Sequence, residues 1–207
     1  MTEQLAVAGG QFSIVLPGTW STIPLDDDAA LEGHIKRLVL KQVGRADRFA
    51  RTRREVRDQL TDVALNAKAQ GAITFAIALE LLPGVPFPAS LMISEDTWPP
   101  DVELLALENL EQKLRVARPA AEVHPFRSGP VARIASVTDV SVGEETTPQL
   151  SAQYWVPAAD GTRLFRVFVE APMAQFPELL TELFDSIVDS MVWLADEEST
   201  TTQEDQR

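Results

Sequence analysis

Residues 72–82, AITFAIALELL, constrain the fold more than any other part of this sequence. Large apolar residues alternate strictly with small or polar ones over the whole segment. This two-residue period is typical of a β-strand and not of a helix. The large side chains (Ile73, Phe75, Ile77, Leu79 and Leu81) need a hydrophobic core, while the small face would let a helix approach closely. The segment therefore predicts a strand with its large face on a core and a small face that allows close approach of a helix.

Five further segments have strand patterns, and turn residues separate several of them. Pro83-Gly84 favours a tight reversal between the strand at 72–82 and residues 89–94, and Asp160-Gly161 is a strong signal for a β-hairpin. Short turns of this kind join antiparallel strands. The strand segments are residues 11–16, 89–94, 131–140, 149–157 and 162–171.

Three segments show a helical period. Residues 35–67 predict either one long helix or two helices broken near Gly44, and the run of aspartates at 26–28 suits a helix start. A second helix opens at 99–101, carries Leu104, Leu107, Leu110 and Leu114 on one stripe, and ends at Pro119; a third spans 176–194. Together the segments predict an α+β fold, with a central antiparallel β-sheet flanked by α-helices.

The chain has 207 residues, of which 45% are hydrophobic and 24% charged, which suits one globular domain. We expect a single domain over residues 1–195 and a disordered acidic tail over 196–207, because the tail lacks large apolar residues. No apolar run is long enough to span a membrane, and the first residues lack a basic signal region. These features predict a cytoplasmic protein without a transmembrane segment.

The order of segments resembles the PsbP-like fold superfamily. The resemblance lies in FSIVLPGTW near the start, GVPFPASLMIS, the hairpin YWVPAADGTRLFRVFVEAP and the closing FDSIVDSMVWL, over residues 11–195. That superfamily includes photosystem II extrinsic proteins, a eukaryotic Ran-binding protein and uncharacterised bacterial proteins, and this chain looks most like the bacterial members. The resemblance implies a sheet and helix sandwich without a common enzyme chemistry. The matching residues look like packing positions, so no functional residue follows from it.

Several chemistries lack their sequence signatures in this chain. There is no cysteine, and the two histidines, His34 and His124, form no HExxH pattern. No GxSxG elbow and no glycine-rich phosphate loop is present. The carboxylate pairs at 95–96 and 144–145 are interpreted as solvated loop charges, and the four tryptophans as core packing. We therefore expect no catalytic residue, metal ligand or cofactor, and an enzyme is the less favoured interpretation.

Residues 36–57 stand out by their charge. This span contains nine basic residues and only two acidic ones, Asp47 and Glu55, so its net charge is +7. The remainder of the chain, with nine basic and 29 acidic residues, carries −20. On one continuous helix, five of the basic side chains would form a stripe beside the apolar face. This predicted basic ridge comprises Arg37, Lys41, Arg45, Arg48 and Arg51.

Three interpretations of the ridge remain open at this point. The ridge could pair with neighbouring carboxylates or with the acidic tail of the same chain, bind an acidic protein partner, or bind nucleic acid. The sequence pI of about 4.5 argues against nucleic acid, because the surrounding negative charge repels a polyanion. We expect a non-catalytic protein-interaction or accessory module, and the alternative is a small-molecule-binding protein or enzyme with a pocket between sheet and helices. The oligomeric state does not follow from the sequence.

Overall fold

The computed structural model describes residues 2–7, 11–104, 109–142, 145–172 and 174–194. The predicted tail at 196–207, Leu107 of the second predicted helix, and Glu144 lie outside the described residues. Within the described residues the fold is α+β, with a seven-stranded antiparallel sheet, a three-stranded antiparallel sheet and five α-helices. The predicted fold class is confirmed.

The strands are β1 Thr2–Val7, β2 Phe12–Pro17, β3 Thr19–Thr22, β4 Ala72–Leu82, β5 Val85–Asp96, β6 Glu122–Phe126, β7 Gly129–Val142, β8 Glu145–Pro157, β9 Leu164–Pro172 and β10 Val192–Trp193. The seven-stranded sheet has the order β3-β4-β5-β9-β8-β7-β6, and the small sheet has the order β1-β2-β10. The strong alternation at 72–82 forms β4, and the Asp160-Gly161 turn joins β8 to β9 as predicted. Sequence patterns missed β1, β3, β6 and β10; of these, β3 and β10, with four and two residues, are too short to show a clear period.

The long basic segment folds as two helices, α1 Asp28–Val43 and α2 Ala50–Ala69, with a short 3₁₀ helix at Asp47–Phe49 between them. The aspartate run begins α1 as predicted, since the Asp27 carboxylate accepts hydrogen bonds from the amides of Ala29 and Ala30 at 3.2 Å each. Gly44 ends α1 with φ at +89°, a backbone conformation that favours glycine.

The other helices are α3 Pro100–Leu104, α4 Leu110–Ala117 and α5 Pro177–Asp189. The predicted closing helix was too long at its C-terminal end. The chain leaves α5 at Ser190, and residues 192–193 pair with β2 instead, while the Leu194 amide donates to the Gln11 carbonyl at 2.8 Å. Backbone pairing with a neighbouring strand has replaced the last helical turn.

The large sheet separates two packed layers. On one side Phe12 and Ile14 of the small sheet and Phe184 of α5 pack against sheet residues such as Tyr154 and Val167. The helices α1 to α4 cover the opposite side, in one cluster that includes β4 and another that includes β7. Trp20, Trp98 and Trp155 are buried and Trp193 packs against the core, which confirms that the tryptophans serve core packing.

The helices α1 and α2 do not lie on the small face of β4, which the sequence marked as the face that allows close approach of a helix. These helices pack against Phe75 and Ile77, on the large face, whereas Ala76 and Ala78 join the core shared with the small sheet. Close approach is still made possible by small residues, but they belong to the helix, where Ala64 and Ala67 are buried. In this contact the helix supplies the small residues and the strand supplies the large ones, whereas the sequence suggested small residues on the strand.

Candidate binding surface on the helical hairpin

The α1–α2 hairpin presents the basic segment on the outer side of the molecule, away from the sheet. Its two helices pack against each other and run in opposite directions, because the chain reverses between Gly44 and the 3₁₀ helix. The Arg53 side chain holds this reversal: its Nη1 donates to the carbonyl oxygens of Gly44 and Ala46 at 2.8 Å each. Carbonyls at a helix C-terminus lack intrahelical donors and carry negative partial charge, so a guanidinium suits this position.

The five residues of the predicted ridge do not share one helical stripe. Arg37 and Lys41 lie on α1, Arg45 in the connection, Arg48 in the 3₁₀ helix and Arg51 on α2. The stripe assumed an uninterrupted helix, and the break at Gly44 changes the direction of the chain between the second and third members. All five residues are exposed, so each remains accessible from solvent.

The structure gathers the other four basic residues of the segment, which the sequence interpretation left outside the ridge. They line a groove of about 240 Å³ between α1 and α2, beside the turn of the hairpin. Val39, Leu40 and Ala50 supply its apolar surface, and Val39 lies deepest because only 3% of it is exposed. We call this the cationic groove, and its charged members are Lys36, Arg53, Arg54 and Arg57.

A second, larger depression of about 650 Å³ continues along the hairpin from the cationic groove. Lys36 and Arg57 line both, but the larger depression adds the carboxylates of Glu32, Asp58 and Asp62. The outer side of the hairpin is therefore positive near its turn and mixed in charge towards the start of α1. An anion is therefore attracted to the hairpin near its turn, whereas the carboxylates offset this attraction towards the start of α1.

Few of the nine basic residues are neutralised within the described part of the chain. Arg51 pairs with Glu55 at 2.8 Å and Arg57 with Asp58 at 3.2 Å, and both carboxylates lie on α2 itself. Arg48 stacks over the Phe49 ring, with 4.8 Å from its guanidinium carbon to the ring centroid. No described carboxylate from outside α2 pairs with any of the nine, so pairing within the described residues is limited to these two contacts. The acidic tail, the other intramolecular partner considered for the segment, lies outside the described residues.

His34 lies on α1 close to the edge strand β3, where its Nε2 is 2.9 Å from Oγ of Ser21. Burial, and secondly the positive charge of Arg37, lower the pKa of His34 below its ordinary value. The imidazole is therefore neutral at pH 7 and joins α1 to the sheet edge by a hydrogen bond. A nucleophilic serine would also need an orienting acid on the histidine, and among the described residues His34 has no carboxylate in a salt bridge or hydrogen bond.

A polar network lies on the opposite side of the molecule, under α5. The Tyr154 hydroxyl donates to Oδ1 of Asp185 at 2.8 Å, and Arg133 donates to Oδ2 of the same carboxylate and, at 3.0 Å, to Glu122. Hydrogen bonds from Arg133 and His124 lower the pKa of Glu122. Desolvation by burial, followed by the Asp185 charge, raises the pKa of Tyr154, so the phenol stays protonated.

A surface depression of about 480 Å³ adjoins this network and is lined by Asp185 and Asp189, among others. Both carboxylates already have partners, since Arg133 binds Asp185 and Arg127 binds Asp189 at 3.1 Å through Nε. The groups that converge here satisfy one another and join β7, β8 and α5. The arrangement is that of a structural network and not of an acid and base held ready for a substrate.

A third polar contact joins Asp96, the last residue of β5, to Arg118 after α4 and to Trp155 of β8. Asp96 accepts hydrogen bonds from Arg118 at 2.8 Å and from the Trp155 indole at 3.0 Å. Burial alone would raise the pKa of Asp96, but the Thr97 amide and Arg118 outweigh it, and the pKa lies below its ordinary value. Asp96, predicted as a solvated loop charge, is instead a half-buried acceptor in this contact; Glu95 is exposed as predicted.

Metal sites and membrane-spanning helices are two further features that the described residues do not show. No three histidine, aspartate or glutamate side chains among them are placed to hold a metal ion. In the same residues, no helix combines the length and the apolar character needed to cross a membrane.

Comparison with known proteins leaves the family open. No protein-family model matches the chain, and no curated protein matches it either. The resemblance to the PsbP-like superfamily therefore stays a prediction.

Sequence reasoning missed the cationic groove because the predicted ridge was derived for one continuous helix, although two helices broken near Gly44 were also expected. The signal was present in α2 alone: Ala50, Arg53, Arg54 and Arg57 follow the spacing of one helical face. The facing residues of α1, Lys36 and Leu40, could not be assigned to the same site without knowing where the chain reverses.

Proposed function

We propose that this protein is a non-catalytic interaction module that binds an acidic protein partner through the basic surface of the α1–α2 hairpin. The observation that carries the proposal is that the described carboxylates leave most of the charge of this surface unpaired. Seven of the nine basic residues of 36–57 have no described carboxylate within salt-bridge distance. Arginine, which supplies seven of the nine, presents a planar fork that matches a carboxylate.

Charge segregation also supports a protein partner over nucleic acid. The basic surface belongs to a chain with a formal net charge of −13, so a long polyanion would be repelled on either side of the hairpin. A compact acidic patch can approach the hairpin without meeting that charge. Complementary charges of this kind raise the association rate and select the partner.

The proposal is tested with the charge-reversal variant Arg45→Glu, Arg48→Glu, Arg51→Glu and a second variant, Lys36→Glu, Arg54→Glu. Proteins captured at low salt are identified by mass spectrometry, and each candidate is then purified and titrated against the variants. We expect an acidic partner whose affinity falls at least tenfold in one or both variants and falls with added salt.

Arg115→Glu is the matched control. Arg115 pairs with Glu111, four residues earlier on the solvent-exposed side of α4, in the same way that Arg51 pairs with Glu55 on α2. Its reversal changes the net charge and breaks an equivalent ion pair without touching the hairpin. Equal affinity of a captured partner for wild type and both hairpin variants would refute the proposal, as would an equal loss in Arg115→Glu.

A further inference from the structure

The cationic groove has an apolar surface that a purely electrostatic contact would not need. Leu40 is half-buried and Ala50 exposed, and both line the groove among its four basic residues. A carboxylate gains nothing from an aliphatic surface, whereas an apolar side chain gains free energy when it leaves water there. The composition of the groove therefore points to a ligand with both kinds of group.

The size of the groove restricts that ligand. Small-molecule sites usually enclose about 300–1,000 Å³, and the cationic groove, at about 240 Å³, is smaller. It lies open along one side between two helices. These features suit one side chain of a longer segment that continues over the hairpin surface.

The charges around the groove restrict the flanking residues. Lys36, Arg54 and Arg57 border the apolar surface, and Lys36 and Arg57 also line the larger depression, where the carboxylates of Glu32, Asp58 and Asp62 begin. Acidic residues close to the apolar side chain would meet the guanidinium groups and the ammonium group. A bound segment that remained acidic towards the start of α1 would be repelled by these carboxylates.

From these observations we propose that the cationic groove binds an acidic peptide segment with one apolar anchor, a leucine-like side chain seated on Leu40 and Ala50 with carboxylates paired to Lys36 and Arg54. This inference rests on the proposed function and adds the chemistry of the partner to it. The occupant is a segment of another protein, and the anchor distinguishes it from a simple polyanion.

The test uses two short fluorescent peptides that have the same number of glutamates and differ at one central position, leucine or serine. Binding to the full-length protein is measured by anisotropy at low salt. We expect the leucine peptide to bind about tenfold more tightly, which is the order of effect for burying one aliphatic side chain. Equal affinity of the two peptides for wild type would overturn the inference.

Two variants locate the anchor. Leu40→Ser removes apolar surface, and Ala50→Phe fills the groove from an exposed position without removing a core contact. Both should abolish the preference for leucine while glutamate-dependent binding remains. If Leu40→Ser fails to fold, Ala50→Phe alone decides, and a preserved leucine preference in it would overturn the inference.

Leu65→Ser is the matched control, because Leu65 is an exposed leucine of α2 that does not line the groove. It should keep the full preference for leucine. Failure of the inference is distinguishable from failure of the proposed function. In the first case both peptides bind equally and Lys36→Glu, Arg54→Glu weakens both; in the second no acidic peptide or partner responds to charge reversal. Tighter binding to anionic lipid vesicles than to either peptide would also count against a peptide occupant.

Discussion

The hydroxyl of Tyr154 lies 2.8 Å from Oδ1 of Asp185 and joins the middle of the large sheet to α5. Arg133, which is paired with Tyr154 across strands β7 and β8, donates to the other oxygen of the same carboxylate. One acidic side chain of α5 thus receives donors from two neighbouring strands. This contact fixes the helix over the core that contains Phe12 and Phe184.

Replacing Tyr154 by phenylalanine removes a buried donor from this carboxylate and leaves the ring in place. We expect Tyr154→Phe to lower the free energy of unfolding by about 1.5–3 kcal/mol, the range for a hydrogen bond to a charged group. Urea denaturation provides the measurement. Ser186→Ala, which removes an exposed hydroxyl bond on the same helix, should change stability by less than about 0.5 kcal/mol. Equal effects of the two substitutions would contradict the assigned role.

Tyr154 is the one tyrosine of the chain, so its ionisation can be followed by tyrosinate absorbance. Its folded pKa is raised by burial and by Asp185, so the stability it contributes is fully present below about pH 10, the unfolded pKa, and is lost as the pH rises above it. In the native protein, tyrosinate should appear only together with the loss of circular dichroism. In urea it should appear near pH 10. Ionisation near pH 10 with the fold intact would show that the phenol is not held as described.

His34 gives an opposite dependence at mildly acidic pH. Its folded pKa is depressed by burial and by Arg37, so the unfolded chain binds the proton more tightly. The associated stability is present above the ordinary pKa of about 6.5 and is lost as the pH falls from there through the folded pKa. Wild type should lose more stability than His34→Gln between about pH 7.5 and about pH 5.5. Parallel pH profiles for the two proteins would exclude His34 as the cause.

Arg53 is expected to stabilise the hairpin turn independently of any partner. Arg53→Ala removes the donor to the Gly44 and Ala46 carbonyls and should cost about 1–2 kcal/mol in thermal or urea unfolding. Arg54→Ala is the control, since Arg54 is exposed and adjacent in sequence, and it should change stability by less than about 0.5 kcal/mol. A larger effect at Arg54 than at Arg53 would contradict this assignment.

Gly18 should tolerate no side chain. Its φ is +87°, and a Cβ there would lie 2.2 Å from the carbonyl oxygen of Glu80, on β4. Left-handed strain costs about 1–2 kcal/mol and overpacking about 1–3 kcal/mol, so we expect Gly18→Ala to cost about 3 kcal/mol or more. Gly71→Ala has similar strain, with φ at +77° and no atom within 4 Å, and should show the strain alone. Equal losses in the two variants would mean that the strands separate to admit the methyl group.

The sequence patterns predicted the candidate site only in part. Charge counting identified the segment that supplies the charged residues of the cationic groove, because it requires only the order of residues. Grouping the charges required the geometry of the turn, and the predicted ridge failed at Gly44, where the chain changes direction. Lys36 of α1 and Arg54 of α2 meet at one groove through helix pairing, which no periodicity within either helix contains.

The chain by itself determined the alternating strands, the helix start at Asp27 and the turn at Asp160-Gly161, because each depends on residues that are neighbours in sequence. Only the tertiary structure decided that Trp193 pairs with Phe12 in the small sheet and that Asp185 accepts hydrogen bonds from Tyr154 and Arg133. It also decided that four basic residues line one groove together with Leu40. These contacts join residues far apart along the chain. Their energies depend on burial and on distances that exist only once the sheet and its helices have packed together.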